Sequence, residues 1–211
     1  MTPMQRVVIG PSVRCFVALC STFLWLVFSS ASSLVQAGEP TEKIRVAVDQ
    51  GVQILKESQL DMNNGRKEAI GRLRQIVYPL FDFTEMAKRS LGAHWRTLTA
   101  EEKLEFVKVF TELLEISYAE RIDLYNGQKV VFTREEVDDD YATVNSKIVN
   151  SKGEQFSVGY KLLRRDGADW RIYDVVVENI SLVNNYRSQF HRVIANSSYR
   201  DLIKKMKDKT G

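Results

Sequence analysis

From Lys129 onward the hydrophobic period of this chain changes from 3.6 residues to 2, and that switch constrains the fold more than any other feature. Four alternating runs follow one another, at about 129–137, 140–149, 155–165 and 169–179. Their connections are Asp138-Asp139, Ser151-Lys152-Gly153 and Asp166-Gly167. Such short turns leave no room for a crossover helix, so consecutive strands pair antiparallel in a meander. Phe156, Val158, Tyr160 and Leu162 alternate with Ser157, Gly159, Lys161 and Leu163, which gives the sheet one more apolar and one more exposed face.

Helical patterns flank the strands. Ile44, Val48, Val52 and Leu55 recur at helical spacing within 41–60, and Asn63-Asn64-Gly65 breaks that run. A second helix is expected from Arg66 to Val77, with Pro79 marking its end. Asp82, followed by Glu85 at the third helical position, is a good N-cap, and Phe81 and Met86 suit a hydrophobic staple. Gly92 ends this short helix. Thr99 and Glu102 repeat the capping logic and open the longest helix, about 100–126, closed by Asn126-Gly127. Ser181 and Ser198 cap two more, about 182–195 and 199–209. The expected architecture is α+β: a curved antiparallel sheet of four or more strands packed with several helices.

Residues 1–37 read as a separate segment. Arg6 and Arg14 precede Cys15–Phe28, an apolar run of 14 residues. As a helix it would span about 21 Å, short of a hydrocarbon core of about 30 Å. Small residues follow, with Val35-Gln36-Ala37 or Ser29-Ser30-Ala31 offering cleavage points, which is the layout of a secretory signal peptide. An uncleaved N-terminal anchor is the alternative. Removing 37 of the 211 residues leaves 174, expected to form one domain over 38–211. Only Arg6 and Arg14 of the 30 basic residues go with the segment, so 28 stand against 27 acidic ones. A charge of +1 gives no case for a nucleic-acid partner. Cys15 and Cys20 also leave, and with them thiol catalysis, disulfides and thiolate metal ligands.

The search for catalytic motifs returns no G-x-S-x-G, H-E-x-x-H, P-loop or G-x-G-x-x-G. His191 and Asp174 could pair as base and orienter of a lipid hydrolase; their plainer reading is a surface histidine and a strand-edge acid. His94 beside Trp95 reads as packing, and two histidines without a ligand cluster argue against a metal site. Asp138-Asp139-Asp140 is either a solvated turn or a dock for calcium or a basic partner. Lys204, Lys205, Lys207 and Lys209 suit a helix C-terminus or an anionic membrane surface. The surplus of apolar residues fits either a filled core or a cavity for an apolar ligand.

One long block carries a family likeness. The segment from Trp170-Arg171-Ile172-Tyr173-Asp174 through Asn184-Asn185-Tyr186-Arg187-Ser188-Gln189-Phe190 resembles the signature of the MlaC family, periplasmic phospholipid carriers also described as toluene-tolerance auxiliary proteins. Phe81–Lys88, Leu91–Arg96 and Phe106–Phe110 with Tyr118 match further blocks of it. The resemblance implies a sheet-and-helix fold enclosing a pocket for acyl chains, with phospholipid as cargo, no cofactor and no catalytic residue. It implies a periplasmic monomer that exchanges lipid with an outer-membrane lipoprotein–porin complex and the lipid-binding subunit of an inner-membrane ABC transporter, maintaining outer-membrane asymmetry. From pattern, the expected walls are Val144, Ile148, Phe156, Val158, Tyr160, Leu162, Ile172 and Val176 on the sheet. Phe106, Phe110, Leu113, Tyr118, Leu182, Tyr186 and Phe190 are expected from the helices. Arg187 either meets the lipid phosphate at the mouth or pairs with Asp174 or Glu178.

Overall fold

The capping signals read from sequence set where helices start in the computed structural model, which describes residues 38–59, 65–119 and 125–210. The expected leader over 1–37 lies outside these residues. Helix α1 (Glu39–Ser58) packs on α2 (Gly65–Leu80). Helix α3 (Phe83–Leu91) begins where the Asp82 carboxylate accepts the Glu85 N–H at 2.8 Å. A 3₁₀ turn, Gly92–Thr97, leads to α4 (Ala100–Ala119), opened by a reciprocal box. There the Thr99 N–H donates to Glu102 at 2.8 Å and the Glu102 N–H donates back to the Thr99 hydroxyl at 3.2 Å. After the sheet come α5 (Leu182–Asn196), capped by Ser181, and α6 (Tyr199–Thr210), capped by Ser198.

Two helix ends differ from expectation. Helix α2 runs through Pro79 to Leu80, because a proline in the final turn forfeits only one intrahelical bond, and the Phe81 N–H still reaches the Val77 carbonyl at 3.2 Å. Tyr125–Gln128 are not helical. The turn into the sheet has already begun there, with the Asn126 N–H donating to the Gln128 side chain at 2.7 Å.

The strands are β1 (Lys129–Asp138), β2 (Tyr141–Val149), β3 (Gln155–Leu163) and β4 (Arg171–Val177), plus a two-residue β5 (Ile180–Ser181). They form an open antiparallel sheet in sequence order, as the short turns require. Two register shifts matter. One lies in β1 between Phe132 and Arg134; the other places Leu162 opposite Ile172 but Lys161 opposite Asp174, so Tyr173 is an extra residue. Past that bulge the alternation of β4 changes phase. Ile172, Val175 and Val177 share the face of Leu162, Tyr160 and Val158, while Val176 turns to the other side against Gly159.

Two separate cores fill the interior. Ile44 of α1 and Leu80 of α2 cover Ala142, Val144, Leu162, Trp170 and Ile172 on one sheet face. The Trp170 indole N–H donates to Glu39 at 3.2 Å, and the Thr41 N–H donates to Glu135 at 2.8 Å, which pins α1 to the sheet. The second core joins α3, α4, α5 and α6 around Phe106, Phe110, Tyr186 and Phe190. Their rings meet edge to face, stacked or, between Tyr186 and Phe190, tilted, with centroids 5.3–5.8 Å apart. At these separations each pair adds about 0.5–1.5 kcal/mol beyond area burial. Phe81 packs against both cores, and the Asp82 N–H donates to the Ile172 carbonyl at 2.8 Å, stitching helices to sheet.

Candidate functional site: an apolar cleft between the two cores

Where the cores meet they leave a cleft of about 660 Å³. Helix α2 presents Ile70, Leu73 and Val77 to it, a stripe at i, i+3 and i+7. Phe83 and Met86 of α3 form the floor, Leu114 and Tyr118 of α4 the far wall. The sheet contributes Val175, Val177 and Ile180, and α5 contributes Leu182 and Asn185. Large apolar side chains around this opening stay wet: Val77 is 36% exposed, Tyr118 45%, Val177 47% and Ile180 64%. A soluble monomer seldom leaves such residues contiguous unless the surface binds something.

The rim carries one ion pair. Arg74 of α2 reaches Glu115 of α4 across the cleft, and that hydrogen bond holds the Arg74 guanidinium still more firmly protonated. Beside them, burial and then the Glu115 charge push the Tyr78 hydroxyl above its ordinary range. The pair is solvent-facing, so it contributes at most about 1 kcal/mol. Helix α2 otherwise packs mainly on α1, so little besides this strap ties it to α4. The arrangement can shelter a long apolar group with its polar end left in water.

Of the wall residues expected from pattern, Tyr118 and Leu182 border this cleft. Phe106, Phe110, Leu113, Tyr186 and Phe190 sit in the helical core, and Val144, Leu162 and Ile172, with half-buried Tyr160 against them, sit in the sheet core. Val158 is buried, while Ile148 and the more exposed Phe156 pair near the outer end of β2–β3. Val176 lies on the opposite face. The α2 stripe and Val175, Val177 and Ile180 were not anticipated. Val77 and Tyr78 stand next to Pro79 on an amphipathic helix and offered a weak signal; the phase change in β4 offered none.

The polar candidates find other places. Asp174 is buried and accepts from the Ser181 hydroxyl at 2.7 Å and the Val183 N–H at 3.1 Å, with Lys161 at 3.4 Å. It caps α5. His191 is exposed, and its ring neighbour is His94, 6.0 Å away between centroids. Arg187 lines a different pocket, on the other side of α5 from Leu182 and Asn185. Lys207 pairs with Glu105 at 2.6 Å. No helix among the described residues is long and apolar enough to cross a membrane, and no group of three metal-ligating side chains occurs among them.

The model of the family described as MlaC protein matches residues 45–208. The chain is 21% identical to an intermembrane phospholipid transport system binding protein MlaC of Haemophilus influenzae, over 88% of each chain. It is 27% identical to the toluene tolerance protein ttg2D of Pseudomonas putida, over 56% of this chain and 55% of that one. A phospholipid-binding protein from Ralstonia solanacearum, solved in complex with a phospholipid, shares the fold at a TM-score of 0.70 and 22% identity, covering 82% of this chain and 97% of that one. With the family's own pattern running from the middle of α1 to the last turns of α6, the chain belongs to the MlaC protein family.

Proposed function

We propose that this protein is a phospholipid carrier of the periplasm, taking acyl chains into the cleft between α2, α4 and β4 while the headgroup stays at the rim. The cleft carries the reading: it is apolar, open at one side, and large enough for a chain. A methylene is close in size to the roughly 30 Å³ share of a water molecule, so about 660 Å³ holds roughly 20 of them. That is one long chain at the present width; two would require α2 to move outward. The relatives named for intermembrane phospholipid transport and for a bound phospholipid support the same cargo.

Energetics favour exchange over release. Each methylene is worth about 0.8 kcal/mol against water, so two chains of about 16 carbons represent roughly 25 kcal/mol. That exceeds the practical ceiling of about 18–21 kcal/mol for non-covalent affinity. Lipid therefore passes between the cleft and other apolar surfaces rather than through water. The partners in this reading are an outer-membrane lipoprotein–porin complex and the lipid-binding subunit of an inner-membrane ABC transporter, whose ATP use sets direction. The work maintains outer-membrane asymmetry, and no residue needs a catalytic role. Native mass spectrometry of protein purified from a Gram-negative host tests this. A mass increment whose extract is intact phospholipid is expected; the bare polypeptide mass, or only cleaved lipid, refutes it.

A further inference from the structure

A second cavity, of about 410 Å³, lies behind the wall that backs the apolar cleft. Helix α5 turns Leu182 and Asn185 to the cleft and Val183, Asn184 and Arg187 to this pocket. At 100° per residue these two sets point in nearly opposite directions. Helix α3 does the same, with Phe83 and Met86 on one side and Lys88 and Arg89 on the other. The two cavities therefore share walls but not an interior.

The pocket is basic in a chain that is not. Lys88, Arg89, Arg96, Lys161 and Arg187 line it against one carboxylate, Asp174, which is already spent on capping α5 and on Lys161. Counting Glu85, which Lys88 and Arg89 share from behind, these groups sum to +3, whereas residues 38–211 together sum to +1. Neither Arg96 nor Arg187 makes an ion pair among the described residues. Arg187 is nonetheless held. Its guanidinium lies over Gly92, where an added Cβ would come within 3.0 Å of Nε and 3.2 Å of an Nη. Gly92 has φ +60°, so both its backbone and its missing side chain suit this position.

We infer that this pocket binds a phosphate ester. Two planar guanidinium forks without partners match phosphate oxygens, and the lysines add point charge. A bare ion would fill a minor part of 410 Å³; Trp95 and Tyr173 give the remainder aromatic walls suited to an organic moiety. The ester is either a small soluble molecule or the headgroup of a lipid in a bilayer that the protein touches, and the residues involved are the same.

Titration of 15N-labelled protein with sn-glycerol 3-phosphate at constant ionic strength tests the soluble source. The Trp95 indole N–H should shift saturably while that of Trp170, buried in the other core, stays fixed. Flotation with vesicles of phosphatidylcholine containing one-fifth phosphatidylglycerol tests the bilayer source. Arg96→Gln and Arg187→Gln, both at exposed positions, should fold normally and each weaken binding about tenfold, the loss of one charge-assisted contact. Saturable ester binding, or vesicle binding, that falls in both variants supports the site. No binding in either arm, binding unchanged by both substitutions, or capture of polyglutamate but neither phosphate probe overturns it.

Discussion

Filling the cleft should empty the protein of lipid without unfolding it. Val77 projects from α2 into the opening and is 36% exposed, so a larger side chain there meets space rather than core. Tryptophan has seven more heavy atoms than valine. Ring atoms are smaller than methylenes, so together they take roughly 90 Å³, about a seventh of the cleft. About three methylenes are displaced, which costs about 2.4 kcal/mol of burial relative to a bilayer. At about 1.4 kcal/mol per decade, lipid retention falls nearly two decades. Because an indole on α2 can rotate outward, Leu182→Trp on the opposite wall and the double variant complete the set. Val131→Trp, on the far face of β1, is the control. Bound phospholipid is quantified by native mass spectrometry and by extraction, and folding by thermal melts. Retention of wild-type lipid by the folded double variant would refute the placement of the acyl chain, whatever the family.

Other consequences are local. Leu162→Trp enlarges a fully buried side chain in the filled sheet core, so it lowers stability by about 1–3 kcal/mol, read as a Tm loss of several degrees. Burial pushes the Glu85 carboxyl up, but Lys88 and Arg89 more than offset this and hold it below its ordinary range, while Arg165 bonds it at 2.8 Å. Its contribution is present above the ordinary carboxylate pKa and is lost as pH falls below it. Glu85→Gln should therefore cost about 1–2 kcal/mol at neutral pH and flatten the acid limb of a denaturation series. Burial, with Glu105 and Glu102 nearby, raises the Tyr199 hydroxyl to about 12. The unfolded chain ionises near 10, so stability should fall between pH 10 and 12, and Tyr199→Phe should make that fall shallower in urea melts.

Elements were legible in the sequence where a local rule fixes them. Asp82, Thr99, Ser181 and Ser198 each cap the helix they were expected to open, because a cap is a bond between residues three apart. The meander was legible because short turns allow one pairing. The cleft was not, for two reasons. Alternation predicts a face only while register is unbroken, and the extra residue Tyr173 reverses the face of Val175 and Val176. Apolar residues that fill a core also look identical to those that line a void. Phe106, Phe110 and Phe190 have the spacing of walls, yet they satisfy one another. What distinguishes Ile70, Leu73 and Val77 is that their stripe borders the cleft and belongs to neither core, a fact of tertiary arrangement.

The position of the cleft follows from how the two cores close. Each is complete: residues at its centre are less than 1% exposed, and Phe81 belongs to both. Folding therefore does not require the seam between them to be filled. Nor can that seam be a sealed dry void, since at about 24 cal/mol per Å³ a cavity of about 660 Å³ would cost about 16 kcal/mol, more than a typical domain's entire stability of 5–15 kcal/mol. The empty state must be wet or narrowed. Both options are open to a wall that packs mainly on α1 and reaches α4 chiefly through Arg74 and Tyr78 at Glu115. On the carrier reading, an acyl chain would replace that water with apolar contact and hold α2 away from α4. Cargo would then stabilise the open width of the cleft, while the two complete cores keep the fold independent of it.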